Sequence, residues 1–159
     1  AILSCALLQE ISYEQPMIFL PADHLIEKTN QFNRSIKLNK KHLNEDNIFI
    51  FGIKPNSHSS QYGYFITKKI SKGINKVIKF IEKPISTSIT DGWANAGVYY
   101  IKRNNILNIV NEKDDFGFDF FPKCLSKGLK LFGLKKDIDL TPIDTPDLLS
   151  SSLEKFEKN

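Results

Sequence analysis

The chain has few cysteines and no long apolar run, and these two absences argue against whole classes of protein. Its 159 residues include only two cysteines, Cys5 and Cys124, which lie far apart and in no CxxC or metal-ligand spacing. This pattern does not suit a disulfide framework or a zinc site, so we predict two buried free thiols. No apolar stretch approaches the ~20 residues that a membrane-spanning helix needs, and we therefore predict no membrane span.

The chain also lacks a basic block and an export signal. The net charge of +4 comes mostly from scattered lysines, which a solvated surface explains better than nucleic-acid binding does. Residues 1–8 are apolar, but no basic segment precedes them and Gln9 and Glu10 follow, which does not fit a signal peptide. They look like a core helix entered in mid-sequence, without an initiator Met. We expect a cytoplasmic protein.

What the chain does contain is a regular alternation of helical and strand patterns. The sequence shows no internal repeat and no linker, which predicts one α/β domain over residues 1–159 with a mixed sheet. The run at 48–51 is apolar at every position and therefore predicts a central strand. The predicted strands are 17–20, 47–53, 62–69, 75–82, 96–101 and 130–134. The predicted helices are 2–11, 30–43, 104–110, 120–126 and one that starts around Thr145.

Residues 17–24 (MIFLPADH) combine a short apolar run with a proline, a small residue, an acid and a histidine. In an α/β protein this pattern predicts a buried strand that delivers Asp23 to the edge of the sheet where ligands bind. A carboxylate there is a good Mg²⁺ ligand, because Mg²⁺ prefers hard oxygens and often bridges carboxylates to substrate phosphates. Taken alone, Asp23 is better explained by an N-cap or a surface ion pair, and His24 suits a structural role.

Two more motifs lie around predicted strands. In residues 62–64 (YGY), Gly63 stands between two tyrosines, which indicates either the close approach of a backbone or ligand, or a bulge. In residues 80–84 (FIEKP), a strand ends with Glu82, which can accept hydrogen bonds from sugar hydroxyls, and Lys83, which can neutralise a phosphate. An exposed ion pair is the alternative explanation for the second motif.

Residues 93–99 (WANAGVY) form the fourth motif. The amide of Asn95 offers both a donor and an acceptor, which matches a sugar hydroxyl. Gly97 has no side chain and lets a ligand approach the main chain. The alternative is a turn in which Asn95 adopts a permissive backbone conformation.

Taken together and in this order, the four motifs resemble the sugar-phosphate nucleotidyltransferases. Residues 20–24 (LPADH) and 51–55 (FGIKP), followed by the YGY motif, are most similar to the bacterial mannose-1-phosphate guanylyltransferases. The short gap from Pro84 to Asn95 and the compact tail are more similar to short sugar-1-phosphate guanylyltransferases of the heptose-phosphate type. Residues 143–146 (IDTP) resemble the closing segment of the family, so the resemblance covers nearly the whole chain.

The resemblance implies a three-layer, Rossmann-like mixed sheet of the nucleotidyltransferase type, with its N-terminal part missing from this chain. It implies transfer of GMP, or another nucleoside monophosphate, from an NTP (GTP) to a sugar 1-phosphate such as mannose 1-phosphate. Pyrophosphate is released, and the product is a nucleotide sugar for polysaccharide biosynthesis. The implied cofactor is Mg²⁺, and catalysis is mainly positioning and electrostatics.

The resemblance also assigns roles to individual residues. Asp23 and Lys83 are the implied catalytic residues, with Lys83 on the phosphate of the sugar. Asp23 and Asp144 are the implied metal ligands. The implied sugar-phosphate site consists of Gly63 (through its backbone), Glu82, Lys83, Asn95 and Gly97.

Two departures from the family pattern bear on activity. No Gly-rich loop with its Arg and Lys precedes Asp23, and the N–H groups of such a loop cradle the triphosphate. Pro142 stands where the family has its second metal-binding Asp, so Asp144 or Asp139 would have to replace that ligand. Without the family's first strand the sheet would expose apolar surface, which favours association into a homo-oligomer.

Two alternatives therefore stay open beside the enzyme. One is a non-catalytic relative that still binds a sugar phosphate, which the substitution at Pro142 favours. The other is an unrelated α/β domain, and its sign would be a structure in which Asp23, Glu82 and Asn95 do not converge on one cleft.

Overall fold

The computed structural model describes residues 16–44, 46–54, 60, 62–71, 74–85, 92–135, 140–143 and 146–157. Within these residues the strands are β1 (Pro16–Phe19), β2 (His24–Ile26), β3 (Asn47–Ile53), β4 (Tyr64–Ser71), β5 (Ile74–Ile81), β6 (Trp93–Lys102), β7 (Lys130–Lys135) and β8 (Leu140–Pro142). The helices are α1 (Thr29–Lys40), α2 (Arg103–Leu107), α3 (Phe121–Ser126) and α4 (Pro146–Glu157). A π-helical turn (Phe116–Phe120) leads directly into α3.

Six of the described strands form one mixed sheet in the order β1-β6-β3-β7-β5-β4. The central strand β3 is antiparallel to β6 and parallel to β7. Its side chains alternate between two cores: Ile48 and Ile50 face one, and Phe49 and Phe51 face the other. A strand buried on both faces needs apolar residues at every position, which is why the run at 48–51 has no polar alternation. The predicted central strand is confirmed.

Helical elements cover both faces of this sheet. Phe32 of α1 packs in the core that contains Phe49 and Phe51. The opposite core receives Ile106 from α2, Phe120 from the π-helical turn and Phe121 from α3. This arrangement is the three-layer α/β fold that the family resemblance implies.

The hairpin of β4 and β5 crosses one face of the sheet. The start of β4 pairs with the start of β6 (Tyr64 with Ala94), and the start of β5 pairs with β7 (Lys76 with Phe132). These two partner strands lie on opposite sides of β3, so the hairpin must pass over it. The crossing brings the end of β5 next to the beginning of β6, where the candidate site lies.

Several features of the described fold go beyond what the sequence predicts. The ladder between β2 and β8 was not predicted, because three-residue strands are too short to show a period. In β5, the pairing shifts so that Ile78 is an extra residue, which explains why Val77 and Phe80 are both buried although they lie three apart. The π-helical turn was also not predicted. The predicted helix 2–11 and Thr145 lie outside the described residues.

Cys124 is a buried free thiol, as predicted, whereas Cys5 lies outside the described residues. Burial raises the pKa of the Cys124 thiol to about 12, so this group stays protonated and unreactive at neutral pH. No helix in the described part of the chain is long and apolar enough to cross a membrane. The cytoplasmic location and the self-association stay predictions.

Candidate functional site

A cleft of about 300 Å³ opens where β1 and β5 end and β6 begins. This volume is at the lower end of the range for small-molecule sites. Of the predicted sugar-phosphate residues, Glu82, Asn95 and Gly97 line it. The full lining is Phe19, Leu20, Pro21, Glu82, Asn95, Gly97, Tyr99, Asp115, Phe116 and Gly117. The cleft therefore combines aromatic walls with a small set of convergent polar groups, which is typical of a ligand site.

Glu82 is the half-buried carboxylate of the cleft and directly follows the last residue of β5. Burial raises its pKa above the ordinary value of 4.5, and the negative charge of Asp115 raises it further. The positive charge of Lys83 lowers it in part. An ionised Glu82 is thus less favourable than a carboxylate in water, and hydroxyl donors of a bound ligand would stabilise it.

Gly63 is buried beside Glu82 rather than on the cleft surface. A Cβ at Gly63 would collide with Oε2 of Glu82 and lie 3.1 Å from Cζ of Phe80. The carbonyl of Gly63 accepts a hydrogen bond from the N–H of Asn95 at 2.8 Å. The close approach expected at Gly63 from a backbone or ligand is therefore made by the Glu82 carboxyl group.

Asn95 is held in place by its neighbours on β6. Its Nδ2 donates to the hydroxyl of Tyr99 at 2.8 Å, and its Oδ1 accepts from the N–H of Gly97 at 3.2 Å. Burial raises the pKa of Tyr99, so its hydroxyl stays neutral and can accept this bond. Within the described part of the chain, these bonds leave one amide hydrogen and one oxygen lone pair of Asn95 for a ligand.

Gly97 lies in a β-bulge that shapes this network. The pairing of β6 with β3 moves four residues, from Asn95 to Tyr99, while β3 moves only two. Gly97 adopts φ +69°, which other residues rarely accept, and a Cβ there would lie 3.5 Å from Cγ of Pro21. In a regular strand, residues four apart are about 13 Å apart. The bulge lets the side chains of Asn95 and Tyr99 meet.

Asp115 is the charged cleft residue that the sequence analysis did not predict, and its neighbours Phe116 and Gly117 were not predicted either. Its Oδ1 accepts hydrogen bonds from the N–H groups of Gly117 at 2.7 Å and Phe118 at 3.0 Å, and its own N–H donates to Oδ2 of Asp119 at 3.0 Å. Asp115 thereby caps the π-helical turn. Asp115 precedes a run of aromatic residues and is followed four positions later by a second acid, Asp119. This pattern is the sequence signal that could have located Asp115 as a helix cap.

Asp23 lies on the exposed turn after β1 and does not line the cleft itself. Its Oδ1 is 2.8 Å from Nδ1 of His24, and this hydrogen bond lowers the pKa of Asp23. The carbonyl of Asp23 accepts from the N–H of Ile143 at 2.8 Å, and His24 is paired with Pro142 across the β2–β8 ladder. The segment that contains Pro142 therefore lies beside Asp23. Asp139 and Asp144 lie outside the described residues.

The carboxylate of Asp23 is suited to act as one of the ligands of a Mg²⁺ ion. The carboxylate is ionised and exposed, and no described hydrogen bond occupies its Oδ2. Among the described residues, no three His, Cys, Asp or Glu side chains cluster in a way that could hold a metal. Mg²⁺ commonly takes only one or two protein carboxylates and completes its shell with waters and substrate phosphates. Asp23 suits that mode of binding.

Lys83 directly follows Glu82, is exposed to solvent and is also absent from the lining of the cleft. Its backbone has φ +41°, the left-handed region that favours glycine and costs a lysine on the order of 1 kcal/mol. This backbone conformation directly follows Glu82. The two adjacent side chains therefore divide between the cleft, where Glu82 lies, and the solvent, where Lys83 can meet an anion.

Replacing Asp115 with Asn should lower the pKa of Glu82. The amide oxygen can still accept from Gly117 and Phe118, while the charge that repels Glu82 is gone. The pKa should stay above 4.5, because burial still acts. A carbon-detected NMR titration of the Glu82 carboxyl measures the change. The matched control is Asp114→Asn, since Asp114 pairs with Lys123 instead.

The same substitution has a defined effect on stability. The folded chain holds the Glu82 proton more tightly than the unfolded chain does, so stability falls as pH rises from 4.5 through the raised pKa. Asp115→Asn should reduce this fall. A pKa of Glu82 that is the same in both proteins would show that the two carboxylates do not interact.

Comparison with known proteins identifies a matching family and several relatives of this chain. The sequence profile of the family described as nucleotidyl transferase matches residues 1–139. The alginate biosynthesis protein AlgA of Pseudomonas aeruginosa is 26% identical over 140 residues, which are 82% of this chain and 28% of that protein. A mannose-1-phosphate guanylyltransferase of Escherichia coli is 34% identical over 73 residues, which are 43% of this chain and 16% of that protein. The chain thus spans under a third of these curated relatives.

A solved structure shares the fold over nearly the whole chain. The crystal structure of a UDP-glucose pyrophosphorylase complexed with UDP-glucose has a TM-score of 0.74 at 13% identity, covering 99% of this chain and 61% of that chain. This likeness confirms the predicted α/β fold with its mixed sheet. The match to the family profile covers far more than half of the sequence and confirms the resemblance drawn from the four motifs: the chain belongs to the nucleotidyl transferase family.

Proposed function

We propose that this chain supplies the sugar-phosphate-binding part of an enzyme that transfers GMP from GTP to a sugar 1-phosphate such as mannose 1-phosphate. The observation that carries this proposal is the convergence of Glu82, Asn95 and Gly97 on one cleft with aromatic walls. The choice of guanine and mannose rests on curated relatives that bear the name mannose-1-phosphate guanylyltransferase. The UDP-glucose pyrophosphorylase supports the fold alone.

The polar groups of the cleft suit the hydroxyls of a sugar. A hydroxyl both donates and accepts, and Asn95 offers one free donor beside one free acceptor. Glu82 adds a carboxylate that only accepts when ionised, so it selects for ligands with hydroxyl donors. The rings of Phe19, Tyr99 and Phe116 give apolar surface against which the C–H face of a sugar ring can pack.

The phosphate of the sugar would then lie towards the rim, near Lys83. One phosphate oxygen attacks the α-phosphorus of the NTP, a new P–O bond forms, and the bond to the β-phosphate oxygen breaks to release pyrophosphate. Lys83 would hold the attacking phosphate in line, which raises the rate chiefly by orientation. Asp23 would hold Mg²⁺, which when bound neutralises the charge that develops on the phosphates.

A non-catalytic relative is the second candidate, and Pro142 is the observation that favours it. Pro142 is paired with His24, next to Asp23, where the family pattern has a second carboxylate. A proline supplies no carboxylate to a metal. In this case, calorimetry would detect binding of mannose 1-phosphate to the full-length gene product, while pyrophosphate release in the presence of GTP would stay at background.

Asp23→Asn in the full-length gene product should reduce pyrophosphate release from GTP and mannose 1-phosphate by roughly 100-fold or more. The reason is that a lost Mg²⁺ contact removes several kcal/mol of charge stabilisation in the transition state. The Kd of mannose 1-phosphate should change little. Asp46→Asn, at an exposed acid away from the cleft, is the control. A wild-type rate in Asp23→Asn would refute the metal role of Asp23.

A further inference from the structure

We propose that Gly117 and Gly63 form a slot, here called the glycine slot, that fixes the carboxyl group of Glu82 for sugar binding, and that Gly117 is a positioning residue. This inference rests on the proposed function of the cleft. Gly63 directly precedes β4, but Gly117 comes from a helical turn more than fifty residues further along the chain.

The two walls of the glycine slot are both closed to side chains. A Cβ at Gly117 would lie 2.9 Å from Cγ of Glu82 and would collide with Cδ and Oε2. A Cβ at Gly63 would lie 3.2 Å from Cδ of Glu82 and would collide with Oε2. Carbon atoms in favourable contact are about 3.5–4.0 Å apart. A methyl group on either wall would therefore displace the carboxyl group.

The wall that contains Gly117 cannot retreat easily. The N–H of Gly117 is bound to Asp115, and the carbonyl of Asp115 accepts from the N–H of Phe120 at 2.9 Å. The ring of the preceding residue, Phe116, packs edge-on against Phe19 with 5.0 Å between ring centroids, and in a tilted arrangement against Tyr99 with 4.5 Å between centroids. A Cβ at Gly117 should therefore move Glu82 rather than the turn.

A fixed position matters because Glu82 has three rotatable side-chain bonds and lies just beyond the end of a strand. A long acidic side chain in an open position samples several rotamers, and binding must then order it at a cost in free energy. The glycine slot confines the carboxyl group before the ligand arrives. The structure thereby assigns a second role to the π-helical turn, which also lines the cleft directly through Phe116 and Gly117.

Gly117→Ala in the full-length gene product should raise the Kd of mannose 1-phosphate roughly tenfold, in the range of couplings between contacting residues. The effect should fall on KM more than on kcat, because in the proposed binding mode the reacting phosphate lies near Lys83 and not at Glu82. Gly128→Ala is the matched control: Gly128 has φ +79° and open space around it, so this change strains the backbone away from the cleft. It should lower stability and leave the Kd unchanged.

A second substitution separates positioning from general damage. Glu82→Asp shortens the side chain by one methylene and withdraws its carboxyl group from the added methyl. Gly117→Ala should therefore weaken binding and lower the urea midpoint much less in the Glu82→Asp background than in the wild-type background. Equal losses in both backgrounds would overturn the positioning role. If Gly117→Ala does not fold, the same cycle is run with Gly63→Ala, which tests the opposite wall.

The outcomes also separate this inference from the proposed function. If Glu82→Ala leaves binding of mannose 1-phosphate intact, then the cleft is not the sugar site and the proposed function fails. If Glu82→Ala weakens binding but Gly117→Ala and Gly63→Ala do not, then the site stands and the glycine slot is refuted.

Discussion

Glu82→Ala is expected to weaken binding of mannose 1-phosphate by roughly tenfold to 100-fold. Hydrogen bonds to charged groups contribute about 1.5–3 kcal/mol each, and every 1.4 kcal/mol is a factor of about ten in the Kd. Glu82 is the acidic side chain that lies in the glycine slot, and its position next to Asn95 lets both contact one ring. Isothermal titration calorimetry measures the loss.

The binding should also depend on pH through Glu82. An ionised carboxylate accepts hydroxyl donors, so affinity should fall as the pH drops through the pKa of Glu82. Because burial and the charge of Asp115 raise that pKa, the fall should begin at a higher pH than an ordinary carboxyl of pKa 4.5 would cause. Glu82→Gln, which cannot titrate, should bind weakly at neutral pH and remove this part of the pH dependence.

Two further substitutions separate the contribution of the phosphate from that of the sugar ring. Lys83→Ala should weaken binding of mannose 1-phosphate but not of mannose, since only the former has a phosphate for the lysine to contact. Glu112→Ala removes an exposed carboxylate outside the cleft and should change neither affinity. A Glu82→Ala protein that binds mannose 1-phosphate like the wild type would contradict the proposed role of Glu82.

The parts of the site that the sequence predicts are those encoded by short, local patterns. The FIEKP motif marks the end of β5 because a proline cannot donate to a strand ladder, and the β-strand indeed ends at Ile81, just before Glu82. In WANAGVY, the glycine marks the bulge that shapes β6. Each of these features depends only on residues that are neighbours in the chain, so the sequence pattern alone is enough to predict it.

The parts that could not be predicted depend on contacts between distant segments. Nothing near Gly63 in the sequence indicates that Glu82 fills the space of its missing side chain, because that contact requires the hairpin of β4 and β5 to fold back. The contact between Gly117 and Glu82 requires in addition that the π-helical turn pack on the sheet. These contacts are set by tertiary packing, which a single sequence does not display.

The surroundings of Asp23 combine a local pattern, which the sequence displays, with a contact between distant segments, which it does not. A strand followed by a polar turn is a local pattern, and β1 ends at Phe19, close to the predicted boundary. The pairing of His24 with Pro142 joins segments more than a hundred residues apart, and only the structure brings them together. The metal proposal for Asp23 therefore rests on a local motif, whereas the place of Pro142 beside Asp23 is set by a long-range pairing.

Phe121→Ala is expected to lower the free energy of unfolding by about 3–5 kcal/mol, the usual cost of truncating a buried phenylalanine. Phe121 is fully buried. Its ring centroid lies 4.9 Å from those of Phe80 and Tyr99, and 5.8 Å from that of Phe116. The truncation would leave a cavity among rings that come from β5, β6 and the π-helical turn, which cannot all move together to fill it. Urea denaturation measures the change.

Phe118, in the π-helical turn that precedes Phe121, provides a matched control for this prediction. Phe118 is 60% exposed, so Phe118→Ala removes an identical side chain without opening a cavity and should change stability by no more than about 0.5 kcal/mol. Comparable losses for the two variants would mean that the rings do not form the packed cluster described. Because Tyr99 and Phe116 are also walls of the cleft, Phe121→Ala should in addition loosen the sugar site. The affinity for mannose 1-phosphate should fall even at temperatures where the variant is fully folded, since the packing that holds the polar groups in place is shared with the core.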